Sequence, residues 1–159
     1  EIGSGLVGSE MCKETDQIQL FEAALDKDGI AYKEYAIADT NEVQSVTTAA
    51  AGECDVLYIP TDNTLASVTE TVYNVVAPAK IPVIAGEEGI CNGCGVATLS
   101  ISYYDLGYAT GEMAYEILAE GADITTMDVR YAPNVTKKYN AKICEELGIT
   151  VPDDYVAIQ

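Results

Sequence analysis

Two adjacent carboxylates, Glu87 and Glu88, stand between glycines in the stretch GEEG, which follows an apolar run. Neighbouring acids repel each other, so we expect one of them to need a cationic partner. Such a carboxylate can hold an ammonium or hydroxyl group of a small ligand, or the stretch can be an exposed acidic turn. The acid/base pair of a glycosidase flanks its substrate across a gap, whereas adjacent residues on one loop point apart, so we assign no catalytic residue. We expect no helix to begin here.

A second polar cluster, PTDN at residues 60–63, follows an earlier apolar run. Asp62 and Asn63 are residue types that cap helices by accepting backbone N–H groups, and Thr64 can share that task. One of the three is then left to face a ligand. The amides at the start of the following helix carry partial positive charge and can take a carboxylate. Capping alone remains an equally good interpretation.

The stretch CNGC, from Cys91 to Cys94, raises the question of redox or metal chemistry. Zinc needs about four ligands, but the other cysteines are isolated and the sequence contains no His. A thioredoxin-type motif opens a helix, whereas we expect these cysteines in a Gly-rich turn. We therefore predict no metal and no cofactor, and either a local disulfide or two turn cysteines without a role.

Two aromatic side chains, Tyr103 and Tyr104, stand beside Asp105 and can stack on a flat ligand. An alternating strand points only one of two neighbours inward, so core packing of one tyrosine is the competing interpretation. The Gly-rich opening GSGLVG lacks the spacing and the lysine of phosphate-binding loops.

The composition excludes several classes of partner. The 159 residues include 26 Asp and Glu against 8 Lys and Arg, for a net charge of -18. This balance argues against nucleic acid and against anionic membrane surfaces. The absence of His removes Ser-His and Cys-His nucleophile activation. The length suits one domain with a hydrophobic core.

Strand-like and helix-like stretches alternate along the chain. The predicted strands are residues 5–7, 30–37, 55–60, 81–86, 96–102 and 127–132. The predicted helices are residues 13–28, 39–52, a segment after PTDN, 105–120 and 134–147. In the segment after PTDN, the residues expected to face inward are Leu65, Val68, Val72 and Val75. In the helix at 105–120 they are Leu106, Met113, Ile117 and Leu118. The apolar residues of the tail, 149–159, must dock on the rest of the fold.

This alternation predicts an α/β fold with a Rossmann-like parallel sheet and helices on both faces. In such a sheet the loops that follow the strands lie at one edge, the carboxyl edge, where ligands bind. Residues 8–10, 60–63, 86–89 and 102–107 are expected at this edge.

The segments DVLYIPTDNTLASV, AKIPVIAGEEG, VATLSISYYDLGYATGEMAYEIL and LGITVPDDY, in this order, resemble the substrate-binding proteins of ABC transporters for tryptophan and tyrosine uptake. The resemblance runs from about Ser9 to Tyr155. It implies a type 1 periplasmic binding protein fold, with residues 1–159 forming a single lobe. A signal and most of the other lobe would precede Glu1, and the helix at 105–120 would pack on that missing lobe or on a second copy of the chain.

The resemblance further implies a carrier, not an enzyme, that closes over a small solute and delivers it to an ABC permease. The solute would be an amino acid, with an aromatic one favoured. The full-length protein would lie on the extracellular or periplasmic side, membrane-anchored as a lipoprotein. Alternatives are a ligand-sensing regulatory domain of the same fold and a small α/β enzyme.

The resemblance implies that nine residues bind the ligand, because they stand at positions that match the family's motifs. The family usually has an EPNS-like loop where this chain has GLVGSEMCKE, and this correspondence gives Ser9 and Glu10. The nine residues are Ser9, Glu10, Asp62, Asn63, Thr64, Glu87, Glu88, Tyr104 and Asp105.

Overall fold

The computed structural model describes residues 3–9 and 16–158. The chain divides into two compact units. The first contains the residues up to Leu99 together with those from Lys137 onward, and the second is Ser100–Thr136. Among the described residues, no helix has both the length and the apolar character needed to cross a membrane.

Strands and helices alternate along the chain. The strands are β1 Gly3–Ser9, β2 Ala31–Ile37, β3 Val56–Ile59, β4 Val83–Ala85, β5 Ala97–Ile101, β6 Val135–Tyr139 and β7 Val156–Ala157. The helices are α1 Asp16–Asp28, α2 Val43–Glu53, α3 Asn63–Ala66, α4 Thr69–Ala79, α5 Glu88–Cys94, α6 Tyr103–Glu120 and α7 Ala141–Leu147, with a 3-10 turn at Ile124–Thr126.

The strands form one sheet in the order β2-β1-β3-β4-β5-β6-β7. The pairs β1–β2, β1–β3, β3–β4, β4–β5 and β6–β7 are parallel, which confirms the predicted α/β fold. The N–H of Asn140, just after β6, donates to the carbonyl of Val96, just before β5, at 3.0 Å. The end of β6 therefore lies beside the start of β5.

Adjacent strand residues face opposite sides of the sheet, so each face has its own core. Leu57 packs into a cluster with residues of α2, α4 and α5. Its neighbour Tyr58 belongs to a second cluster with Ile18 of α1, and its ring stacks on Phe21 with centroids 3.9 Å apart. Helices cover both faces of the sheet, as predicted for a Rossmann-like arrangement.

The predicted helix after PTDN is two helices. Val68, with φ -135° and ψ 32°, separates α3 from α4. Leu65 and Val72 are buried as expected, but Val76 rather than Val75 completes the buried face. At 3.6 residues per turn, Val76 lies closer than Val75 to the face of Leu65 and Val72.

The prediction is wrong for the last strand and helix. Residues 127–132 form no strand, whereas Val135–Tyr139, predicted as helix, forms β6. Asn140 caps α7 by accepting the N–H of Ile143 at 3.2 Å, so the helix begins only there. The tail docks as expected, because β7 pairs with β6 and Ile158 packs against the main core.

In the second unit, Gly121 ends α6 in the left-handed conformation, with φ +73°. Leu106, Met113 and Ile117 are partly covered, but Leu118, which we expected to point inward, is 85% exposed. No residue of α6 is buried.

Candidate functional site

The loops after β3 and β4 touch each other at the carboxyl edge. The N–H of Gly86 donates to the carbonyl of Ile59 at 2.7 Å, and Thr61 Oγ1 donates to the carbonyl of Gly86 at 3.2 Å. Gln17 Oε1, from the first turn of α1, accepts the N–H of Thr61 at 3.1 Å. A Cβ atom at position 86 would lie 2.6 Å from the nitrogen of Thr61, so only glycine permits this approach. The prediction that these two loops share an edge is confirmed.

Asp62 is a helix cap. Its side chain is 3% exposed, and its Oδ1 accepts the N–H groups of Thr64 at 2.8 Å and Leu65 at 3.2 Å. These two amides are therefore already bonded, and the expectation that the start of this helix takes a ligand carboxylate is wrong for them. Asn63 is exposed and Thr64 is partly exposed at the same edge.

Glu87 is also a helix cap, and the expectation that no helix begins in GEEG is wrong. Its carboxylate accepts the N–H of Gly89 at 2.7 Å and the N–H of Ile90. Helix α5 follows directly. The sequence did not predict a cap at Glu87, because Glu is not among the residue types that usually cap a helix.

Glu88 forms an ion pair with Lys138 of β6. The Lys138 Nζ lies 2.7 Å from Glu88 Oε2, and the two side chains are 27% and 34% exposed. The sequence correctly indicated that one of the paired acids needs a cation. It did not indicate which one, because Lys138 lies 50 residues further along the chain and comes close only through the sheet.

The cysteines of CNGC lie in α5, not in a turn. Cys91 and Cys94 are buried free thiols, so the disulfide that we considered does not form. Burial, together with nearby thiols and carboxylates, raises the pKa of each to about 12. Thiolates are the reactive and metal-binding form, so both side chains act as core residues. Within the described ranges, no three His, Cys, Asp or Glu side chains group together as metal ligands would.

In the second unit, Ser102 caps α6 by accepting the N–H of Asp105 at 3.1 Å. Tyr103 and Tyr104 lie in the first turn of this helix and are 64% and 80% exposed. The interpretation that one of them packs inward is wrong, because they lie on a helix and not on an alternating strand. Asp105 is partly exposed.

Asp105 also lines a groove of about 450 Å³ within this unit, together with Tyr108, Arg130 and Tyr131. Arg130 Nη2 donates to both carboxylate oxygens of Glu116, at 2.6 and 2.8 Å. This pair holds the segment after α6 against the helix.

The remaining two predicted residues are Ser9 and Glu10. Ser9 is the last residue of β1, and its side chain and Glu10 lie outside the described residues. The structure thus brings Asp62, Glu87 and Glu88 together at one edge of the first unit, and it places Tyr104 and Asp105 in the second unit.

A comparison with protein families finds one that accounts for nearly the whole chain. The sequence model of the family described as ABC transporter substrate binding protein matches residues 5–158. The chain belongs to this family. Its members bind small solutes, work with ABC permeases, and typically act on the extracellular or periplasmic side. The resemblance seen in the sequence motifs is confirmed.

Among characterised relatives, a tyrosine-binding protein of Clostridioides difficile (strain R20291) is 40% identical over 100 residues, which are 60% of this chain and 29% of the relative. Solved structures of similar proteins also cover most of the present chain. A Streptococcus pneumoniae ABC domain in complex with L-Trp is 31% identical with a TM-score of 0.85, covering 96% of this chain and 52% of that one.

The ligand-free, open structure of a Clostridium difficile substrate-binding protein with adhesive properties is 32% identical with a TM-score of 0.75, covering 99% and 55%. A conserved domain protein of Vibrio cholerae O1 biovar El Tor is 28% identical with a TM-score of 0.85, covering 99% and 54%. The chain therefore spans about half the length of the solved proteins it matches.

Proposed function

We propose that the chain forms one lobe of a carrier that binds an aromatic amino acid and delivers it to an ABC permease. The observation that carries this proposal is the pair of similar proteins with named ligands. One is a tyrosine-binding protein at 40% identity, and the other is an L-Trp complex at 31% identity. A carrier of this kind turns over no substrate, so we assign no catalytic residue.

The carboxyl edge of the first unit supplies one wall of the ligand cleft. Glu88 is the carboxylate that contacts the ligand ammonium, because Glu87 is engaged as the cap of α5. Asn63 and Thr64 offer hydrogen-bonding groups from the loop after β3. Asp62 and Glu87 contribute by fixing the two helix starts.

The second unit exposes aromatic and acidic side chains, among them Tyr104, which is 80% exposed, and Asp105 at the start of α6. We propose both as ligand-binding residues within that unit. Many of the exposed large apolar side chains of the described chain lie in this unit, namely Ile101, Tyr103, Tyr104, Tyr108, Tyr115, Leu118, Ile124, Val129, Tyr131 and Val135.

Such a concentration of exposed apolar surface is typical of a protein interface. We propose that α6 packs on the other half of the protein, a region that the longer relatives possess, or on a second copy of the chain. The full-length protein acts outside the cytoplasmic membrane, held there by a lipid anchor.

Calorimetric titration with L-tyrosine and L-tryptophan tests this function. We expect the full-length protein to bind at least one of them, and the 159-residue chain alone to bind about tenfold more weakly or not at all, because the proposed second wall comes from the half that the longer relatives possess. Equal affinities would contradict the two-lobe arrangement. No binding of either amino acid to the full-length protein would contradict the ligand class.

Two variants separate ligand contact from general effects on folding. Glu88→Gln in the full-length protein should weaken binding about tenfold, as expected for loss of one charge-assisted hydrogen bond. The matched control is Glu53→Gln, which removes an exposed carboxylate paired with Lys33 at the C-terminal end of α2. This control should leave the affinity unchanged.

A further inference from the structure

Strand β6 carries two consecutive lysines that face opposite sides of the sheet. Lys137 pairs with Asp154 at 2.5 Å, where the two side chains are 49% and 59% exposed. Lys138 pairs with Glu88 at the start of α5, where both side chains are about one-third exposed or less. Of these two lysines, Lys138 is therefore the one that reaches the edge at which the amino acid is proposed to bind.

The backbone beside Lys138 is held firmly against α5. Asn140, 9% exposed, donates through Nδ2 to the carbonyls of Cys91 at 3.2 Å and Asn92 at 2.9 Å. Its N–H also bonds to Val96 at 3.0 Å. The strand that carries Lys138 is thus tied to the helix whose first residue is Glu88, and the ammonium group is positioned by the fold.

The charge of this edge depends on Lys138. The chain has a net charge of -18, and two carboxylates stand side by side at positions 87 and 88. Without a lysine beside them, this edge would favour a ligand with a net positive charge. An ammonium group has three N–H donors, and Glu88 accepts one of them here.

We propose that Lys138 determines ligand specificity: it selects a zwitterionic amino acid over the corresponding amine by donating to the ligand α-carboxylate while Glu88 faces the α-ammonium. The inference rests on the proposed function. It adds a residue that belongs to none of the motifs found in the sequence. The role of this residue is to distinguish an amino acid from an amine that has the same ring and the same ammonium group.

The test compares L-tyrosine with tyramine, and L-tryptophan with tryptamine, by calorimetric titration of the full-length protein. Wild type should prefer the amino acid. Lys138→Met should reduce the ratio of the two dissociation constants about tenfold, the effect of one charge-assisted hydrogen bond. Lys138→Arg should retain most of the preference, because it keeps the charge.

Lys137→Met is the matched control, since it removes a lysine from the same strand and breaks an ion pair of similar length on the other side. It should leave the ratio unchanged. If Lys138→Met folds poorly, Lys138→Gln, which keeps a donor but not the charge, is measured instead with the same expectation.

The outcomes separate the inference from the proposed function. If wild type binds tyrosine or tryptophan and the ratio is unchanged in Lys138→Met, or in Lys138→Gln where that variant replaces it, the inference is overturned and the proposed function stands. If wild type binds neither amino acid, the proposed function fails. A loss of affinity that is equal for amino acid and amine would show a structural role only, and would also overturn the inference.

Discussion

Thr61 Oγ1 donates a hydrogen bond of 3.2 Å to the carbonyl oxygen of Gly86, and this bond joins the loop after β3 to the loop after β4. The two loops carry the caps of α3 and α5, Asp62 and Glu87. Contact between the loops therefore fixes the relative positions of two helix starts at the edge where a ligand is proposed to bind.

Gly86→Ala should destabilise the fold, because the new Cβ would lie 2.6 Å from the nitrogen of Thr61 and 2.7 Å from the carbonyl carbon of Pro60. We expect a loss of about 1–3 kcal/mol in the free energy of unfolding, measured with urea. The control is Gly52→Ala in α2, where nothing lies within 4 Å of the new Cβ. That variant should be neutral or more stable, by up to about 1 kcal/mol, and a loss at position 52 equal to that at 86 would contradict the argument.

Asp62→Ala should lower the free energy of unfolding by about 1–2 kcal/mol, because the amides of Thr64 and Leu65 lose their acceptor. Asp62→Asn keeps an acceptor oxygen and should retain most of the stability. Thermal denaturation of both variants checks this. If the two variants lost the same stability, the charge rather than the cap would be responsible.

Cys91 and Cys94 should resist alkylation in the folded protein. Burial raises the pKa of both thiols to about 12, so at pH 8 almost no thiolate is present and reagent has little access. Mass spectrometry after iodoacetamide treatment should find both unmodified in the native state and both modified in urea. Rapid native labelling of either thiol would contradict their placement in the core.

The carboxyl pKa of Asp154 should lie below its ordinary value of 3.8, because Lys137 donates a hydrogen bond to it and carries opposite charge. A lowered folded-state pKa means that the ion pair stabilises the fold above about pH 4 and that this contribution is lost as the pH falls through the folded value. NMR titration of the carboxyl carbon checks the direction.

Lys137→Met should return the pKa of Asp154 towards 3.8. The pKa of Asp123, which hydrogen bonds from Thr125 lower, should not change in this variant and serves as the control. An unchanged Asp154 value after removal of Lys137 would contradict the ion pair.

Helix α5 lies where the local sequence pattern led us to predict a turn. Ile90, Cys91 and Cys94 are all buried and spaced as one face of a helix, but the cysteines drew attention to redox chemistry and the two glycines suggested a turn. Gly93 is needed for packing, since a Cβ there would lie 2.1 Å from Thr69 Oγ1. Tertiary contact with α4 thus outweighs the poor helix propensity of glycine.

The alternation of apolar and polar residues was enough to predict the α/β fold and the shared edge of the loops after β3 and β4, because these depend on local periodicity and on the geometry of parallel strands. The roles of the three carboxylates at that edge were decided only by tertiary structure. Asp62 and Glu87 became caps, and Glu88 was left to pair with Lys138. The physical reason is distance along the chain: sheet pairing brings together two side chains 50 residues apart, and no local pattern encodes that contact.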